Sequence, residues 1–100
     1  MEKKKAHYDL NVIKTIVAQR KIACFTLTAV RGVEVMDLSD AQALAVIAEL
    51  DGGMFYKSMT THTDHKVWQD VYYAPCPNGK IAYIKFTMQD GAIVIQFKER

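Results

Sequence analysis

The sequence predicts an α+β fold in which N-terminal helices pack on one face of a mainly antiparallel, twisted β-sheet. Three observations carry that prediction. Apolar residues recur at helical spacing as far as Leu50. From Met54 onward β-branched and aromatic residues dominate, in runs separated by turn residues. Helices that come first and strands that follow as successive hairpins segregate into two layers instead of alternating.

The elements follow in order. Leu10, Ile13, Ile16 and Val17 share one helical face and Asp9 or Asn11 is available as N-cap, which gives a first helix of about three turns. Thr28 is expected to cap a short second helix carrying Val30, Val33 and Val35, although Phe25 and Thr26 suit an edge strand equally well. Ser39-Asp40-Ala41-Gln42 is a capping box, and Ala43, Leu44, Ile47 and Leu50 continue an apolar stripe behind it. Asp51-Gly52-Gly53 is expected to stop that helix through a left-handed glycine. Strands are expected at Met54–Met59, Val67–Tyr73, Lys80–Met88 and Ala92–Lys98. Pro75 to Gly79 reads as a loop, because proline donates nothing to a ladder.

Asp90-Gly91 is a preferred pair for a two-residue type I′ turn, which sets Gln89 opposite Ala92 and fixes the last two strands. In that register Tyr83 faces Lys98 and Lys85 faces Gln96, while Ile84 faces Phe97 and Phe86 faces Ile95. Polar residues thus collect on one side and apolar ones on the other. A slip of one residue would scatter both sets. By itself the pattern describes the wet face of a half-buried sheet.

A length of 100 residues suits one compact domain spanning 1–100. Hydrophobic residues make up 50% and charged ones 24%, which excludes a disordered chain. The net charge is +2, divided about equally between the two halves, so any phosphate contact must come from local clustering. The three lysines within Met1 to Lys5 read as a solvated, frayed terminus. No apolar run follows them and none elsewhere is long enough to span a membrane, so a cytoplasmic protein with no membrane partner is expected. Cys24 and Cys76 have no CxxC spacing and read as free thiols. His62 and His65 alone fall short of a metal site, which needs three or four ligands, and no metal or cofactor is expected.

The stretch FYKSMTTHTDHKVWQDVY, from Phe55 to Tyr72, with the closing segments GKIAYIKFT and IQFKER, resembles the motility quorum-sensing regulator toxins. These are small bacterial messenger-RNA endonucleases with a RelE-like fold. The resemblance covers about half the chain at motif level; from Arg20 to Gly53 it is one of pattern more than of residues. The family's lysine in FYKSMT, glutamine in WQD, tyrosine early in the next strand and lysine in the final FKE correspond to Lys57, Gln69, Tyr83 and Lys98. The resemblance implies metal-independent cleavage of single-stranded mRNA at short GC-containing sites, without dependence on the ribosome, leading to growth arrest. It also implies inhibition by a cognate antitoxin that carries its own zinc and a DNA-binding domain.

That chemistry needs a group to take the 2′-proton, one to protonate the leaving 5′-oxygen, and cations for the charge gathering on the phosphate. Lys57 and Lys98 suit the cationic role and Gln69 an orienting one, while Tyr83 suits a donor or acid better than a base. Lys85, Gln96 and the loop residue His65 are expected RNA contacts. Histidine as a residue type suits acid-base work at neutral pH better than lysine or tyrosine, but the loop position of His62 and His65 favours solvation. Tyr56, Trp68 and Tyr72 alternate with Lys57 and Gln69 and are expected to face the core, unless a bulge at Thr60 or Lys66 turns one toward a base. The alternatives are a module that binds RNA or a translation component without cutting, and an interaction protein that recruits a partner by strand addition.

Overall fold

A computed structural model describes residues 1–100. Strand β1 (Glu2–Lys3) precedes helices α1 (Leu10–Arg20), α2 (Leu27–Val35) and α3 (Asp40–Ala48), and strands β2 (Phe55–Thr60), β3 (Trp68–Pro75), β4 (Ile81–Gln89) and β5 (Ala92–Glu99) follow. The strands form one antiparallel sheet in the order β1-β2-β3-β4-β5. The fold is α+β, with the helices on one sheet face. No helix is long and apolar enough to cross a membrane.

Asp9 caps α1, accepting from the Asn11 and Val12 amides, and the helix buries Ile13 and Val17. The second helix is capped by Thr26 rather than Thr28, with the Thr26 hydroxyl accepting from Ala29 N at 3.0 Å. Phe25 makes only an isolated parallel bridge to Ile95, and Thr26 N donates to Ile95 O at 3.2 Å. Phe25 and Thr26 therefore lead into the helix along the free edge of β5 and form no strand of their own. Ala29 and Val33 are buried, whereas Val35 is exposed because it lies on the opposite side of the helix, away from the sheet. Gly32 is required here for space, since a Cβ at that position would stand 2.1 Å from Phe97 O.

The capping box of α3 is formed as read, Gln42 N donating to Ser39 Oγ and Ser39 N to Gln42 Oε1. The helix stop differs from expectation. Neither Gly52 nor Gly53 is left-handed; they open a short 3-10 turn in which the Asp51 carboxylate accepts from Gly53 N. The helix has already ended at Ala48 with Glu49 as its C-cap, and the Asp51 side chain caps the turn that follows.

Asp90 and Gly91 both have positive φ, 55° and 76°, as a type I′ turn demands. All the pairs read from it are present, Tyr83 with Lys98, Lys85 with Gln96, Ile84 with Phe97 and Phe86 with Ile95. Ile84, Phe86, Ile95 and Phe97, with Tyr72 from β3, meet Ile13, Val33, Met36, Ile47 and Leu50 in one core cluster. Each such side chain contributes about 1.5–3 kcal/mol of burial.

The amino terminus is bound, not frayed. Glu2 pairs with Met59 and Lys3 with Ser58, and the backbone amides of His7 and Tyr8 donate to the carboxylate of Asp70 at 2.9–3.1 Å. Asp70 is fully buried and also accepts from the Ser58 hydroxyl at 2.6 Å. An ionised group at such depth requires several donors, and the terminal segment supplies two of them.

Candidate active site

Strand parity builds the site. The face of the sheet away from the helices carries three consecutive cross-strand rows: Tyr73, Tyr83 and Lys98; then Lys57, Val71, Lys85 and Gln96; then Met59, Gln69, Thr87 and Val94. Lys57, Gln69, Tyr83 and Lys98, drawn from four strands, therefore share one face, and Lys85 lies among them. Val71 is fully buried although it lies outside the main core cluster, so the long polar side chains of its row roof it.

One sequence expectation is overturned at its edge. The bulge of β2 falls between Phe55 and Lys57, not at Thr60 or Lys66, and it turns Tyr56 out of the core, 41% exposed. Its ring lies 4.7 Å from Tyr73, which lies 5.9 Å from Tyr83. The tyrosine row is dressed with cations: Lys57 at 5.4 Å from Tyr56, Arg100 at 4.3 Å from Tyr73 and Lys98 at 5.1 Å from Tyr83. Tyr72 is buried in the core as expected. Trp68 points to the helix side but lies at the end of the sheet, where His7 stacks on it at 5.4 Å and the Lys3 ammonium sits 4.1 Å away. It is half-buried under the amino-terminal segment and takes no part in the core cluster.

The electrostatics sort the lysines. Lys57 is paired with Glu2 from β1, and that hydrogen bond holds its pKa above the usual lysine value. Burial, and then the neighbouring Lys98 ammonium, pull Lys85 below it. Burial pushes the Tyr83 phenol up, reinforced by Tyr73 and opposed by Lys57, so the group is a proton donor at neutral pH. Gln69 Nε2 donates to Thr87 Oγ1 at 3.3 Å, leaving its carbonyl oxygen for a ligand. Gln96 Oε1 accepts from the Thr26 hydroxyl at 3.0 Å, leaving its NH2 free.

His65 is not brought to this face. It is exposed in the loop between β2 and β3, as is His62. No three side chains among His, Cys, Asp and Glu gather anywhere as ligands for a metal ion. Cys24 and Cys76 are buried free thiols, and burial raises the pKa of both. An apolar hollow of about 520 Å³ between α1 and α3 has only Lys14 and Lys21 as ionisable lining and offers no acid and base together.

The sequence reading missed Tyr73 and Arg100. Tyr73 shares the parity of Gln69, and that was the available signal, but its place beside Tyr83 depends on the β3–β4 register, which the Pro75–Gly79 loop does not announce.

Comparison with known proteins extends the motif resemblance over the whole chain. The "mRNA interferase toxin MqsR" of Escherichia coli (strain K12) is 34% identical over 100 residues, which cover all of this chain and all of that protein. Residues 5–99 match the family described as "Motility quorum-sensing regulator, toxin of MqsA". With its antiparallel sheet, the lysines and tyrosines on the outer face and this relationship all in agreement, the chain belongs to the motility quorum-sensing regulator toxin family.

Proposed function

We propose that this chain, as one toxin domain over 1–100, is an endoribonuclease that cuts single-stranded mRNA at short GC-containing sites in the cytoplasm and so arrests growth. The similarity to a protein named an mRNA interferase supports the substrate class. The observation that carries the reading is the convergence of Lys57, Gln69, Lys85, Tyr83 and Lys98 on one open sheet face. Lys57 and Lys98 hold the non-bridging oxygens of the scissile phosphate, and the second hydrogen of the Gln69 amide NH2 orients it. The 2′-oxygen attacks phosphorus in line, giving a 2′,3′-cyclic phosphate and expelling the 5′-oxygen. Lys85, whose charged form burial and Lys98 disfavour, accepts the 2′-proton, and Tyr83 gives its phenolic proton to the leaving oxygen. Tyr83 and Lys85 are two positions apart on one strand, about 7 Å, which leaves room for a phosphate between acid and base. Solvent then takes the proton from Lys85 and returns one to Tyr83, so no net proton is consumed. The reaction so written calls for no metal, because the lysines carry the charge.

The family description pairs these toxins with a protein named MqsA, and the partner proposed for this chain is a cognate antitoxin that holds its own zinc and DNA-binding domain. The flanking row of Tyr56, Tyr73 and Tyr83 suits unpaired bases, which stack on aromatic rings whatever their identity.

The test is cleavage of end-labelled mRNA by the purified protein in EDTA, with the new termini identified. Cuts that leave cyclic phosphate and 5′-hydroxyl ends are expected, and Lys57→Ala, Tyr83→Phe and Lys98→Ala are each expected to slow them by roughly a hundredfold while remaining folded. Intact RNA despite tight binding points instead to a blocking module, a reading favoured by the lack of any histidine on this face.

A further inference from the structure

Beyond the phosphate-binding rows lies a hollow of about 210 Å³ between the β2–β3 loop and the ends of β3, β4 and β5. Six of its nine lining residues are threonines and glutamines, namely Thr61, Thr63, Gln69, Thr87, Gln89 and Gln96, and the others are Asp64, Val67 and Val94. No cation lines it. The lysines of this face lie in the adjoining rows, Lys85 directly beside Gln96, so the surface passes from a cationic part to a hydrogen-bonding part whose one charged lining residue is Asp64.

We propose that this hollow reads the edge of one nucleobase next to the scissile phosphate, an inference that rests on the ribonuclease reading of the same face. A phosphate calls for cations, whereas a base edge calls for neutral donors and acceptors set between apolar surfaces. Glutamine amides and threonine hydroxyls provide the first, and Val67 and Val94 the second. The polar walls are held in place before any ligand arrives. Gln69 Nε2 is fixed on Thr87 Oγ1 at 3.3 Å, Gln96 Oε1 on the Thr26 hydroxyl at 3.0 Å, and the Thr61 hydroxyl on Asp64 O at 2.7 Å. Each glutamine keeps its other amide atom for the ligand, and a fixed amide discriminates between bases where a mobile one adapts to all. Thr87 is two residues along β4 from Lys85, about 7 Å, so a phosphate placed between Tyr83 and Lys85 brings its attached base toward the mouth of the hollow.

The experiment uses two randomised single-stranded libraries with the full chain, with Thr87→Val, which puts a methyl group in place of the hydroxyl, and with Gln89→Ala; a thermal melt confirms that each is folded. The first library carries 2′-fluoro groups and is uncuttable, and its bound fraction is sequenced. Roughly tenfold enrichment of one base at one position is expected for the full chain, collapsing in both variants. The salt-dependent affinity for the unselected pool, set by the lysines, is expected to persist. A flat profile for the full chain, or the same preference in both variants, overturns the inference. The second library is ordinary RNA and reads cutting. Base preference in the first with no cutting in the second removes the ribonuclease reading and leaves the hollow standing; cutting with no preference does the reverse.

Discussion

Asp70 joins the site to the amino terminus at a single residue. Its buried carboxylate takes the amides of His7 and Tyr8 and the hydroxyl of Ser58, while its neighbour Gln69 faces the opposite side of the sheet. Asp70→Ala leaves three donors without an acceptor and is expected to cost about 3 kcal/mol in urea unfolding. The amides of His7 and Tyr8 should then exchange faster, and Asp70→Asn, which keeps one acceptor oxygen, should recover part of the loss. The triplet WQD was visible in the sequence, but the meaning of its aspartate was not, because its amide partners lie 62 and 63 positions away. Lys57, Gln69, Tyr83 and Lys98 were legible from motif resemblance, and for Tyr83 and Lys98 also from turn register. The proposed assignment of Tyr83 as acid and Lys85 as base rests on burial. With Lys85 below lysine's ordinary 10.5 and Tyr83 above tyrosine's ordinary 10.0, cleavage is expected to accelerate as pH rises from neutrality and Lys85 loses its proton. It should fall again only when Tyr83 ionises. A rate that is flat between about pH 6 and 9 removes Lys85 from the base role.

Elements meet most tightly where α2 crosses β5. Gly32 lies against the carbonyl of Phe97, the residue before Lys98, so an added methyl group must push helix and strand apart. Alanine ordinarily favours a helix over glycine by about 1 kcal/mol. Here the sign reverses, and Gly32→Ala is expected to lose about 2 kcal/mol in denaturant melts. Because the strain falls on the strand that carries Lys98, cleavage should weaken as well. The helix itself was legible from its valines, yet its start was misplaced by two residues. Thr28 offers a cap as good as that of Thr26, and only the docking of Phe25 and Thr26 along β5 decides between them. The same contrast separates the hairpins. Asp90-Gly91 leaves one register for β4 and β5, whereas the seven residues Thr61 to Val67 permit several for β2 and β3. The bulge that exposes Tyr56 belongs to the permissive hairpin.

Across the whole molecule, burial raises the pKa of Tyr8, Tyr72 and Tyr83 together, that of Tyr72 to about 12. The folded chain therefore holds these protons more tightly than the unfolded chain, whose tyrosines titrate near 10. Stability from this source is complete below about pH 10 and is lost as pH climbs toward the folded values. Urea midpoints should begin to fall gently above about pH 9, where the unfolded thiols of Cys24 and Cys76 ionise, and fall steeply between about pH 10 and 12, and Tyr72→Phe should flatten the steep part. At this scale the sequence by itself determined the two-layer α+β class, the capping box of α3, the register of β4 on β5 and the wet and dry faces of that hairpin. Each rests on neighbours in the chain, whose geometry is set by backbone preference and side-chain period. The tertiary structure alone decided that the amino terminus becomes an edge strand, that Glu2 reaches Lys57, that Tyr56 and Tyr73 extend the row of Tyr83, and that glutamines and threonines close a hollow beside it. Those contacts join residues far apart in sequence, and their energies come from burial and pairing that exist only once the sheet has assembled.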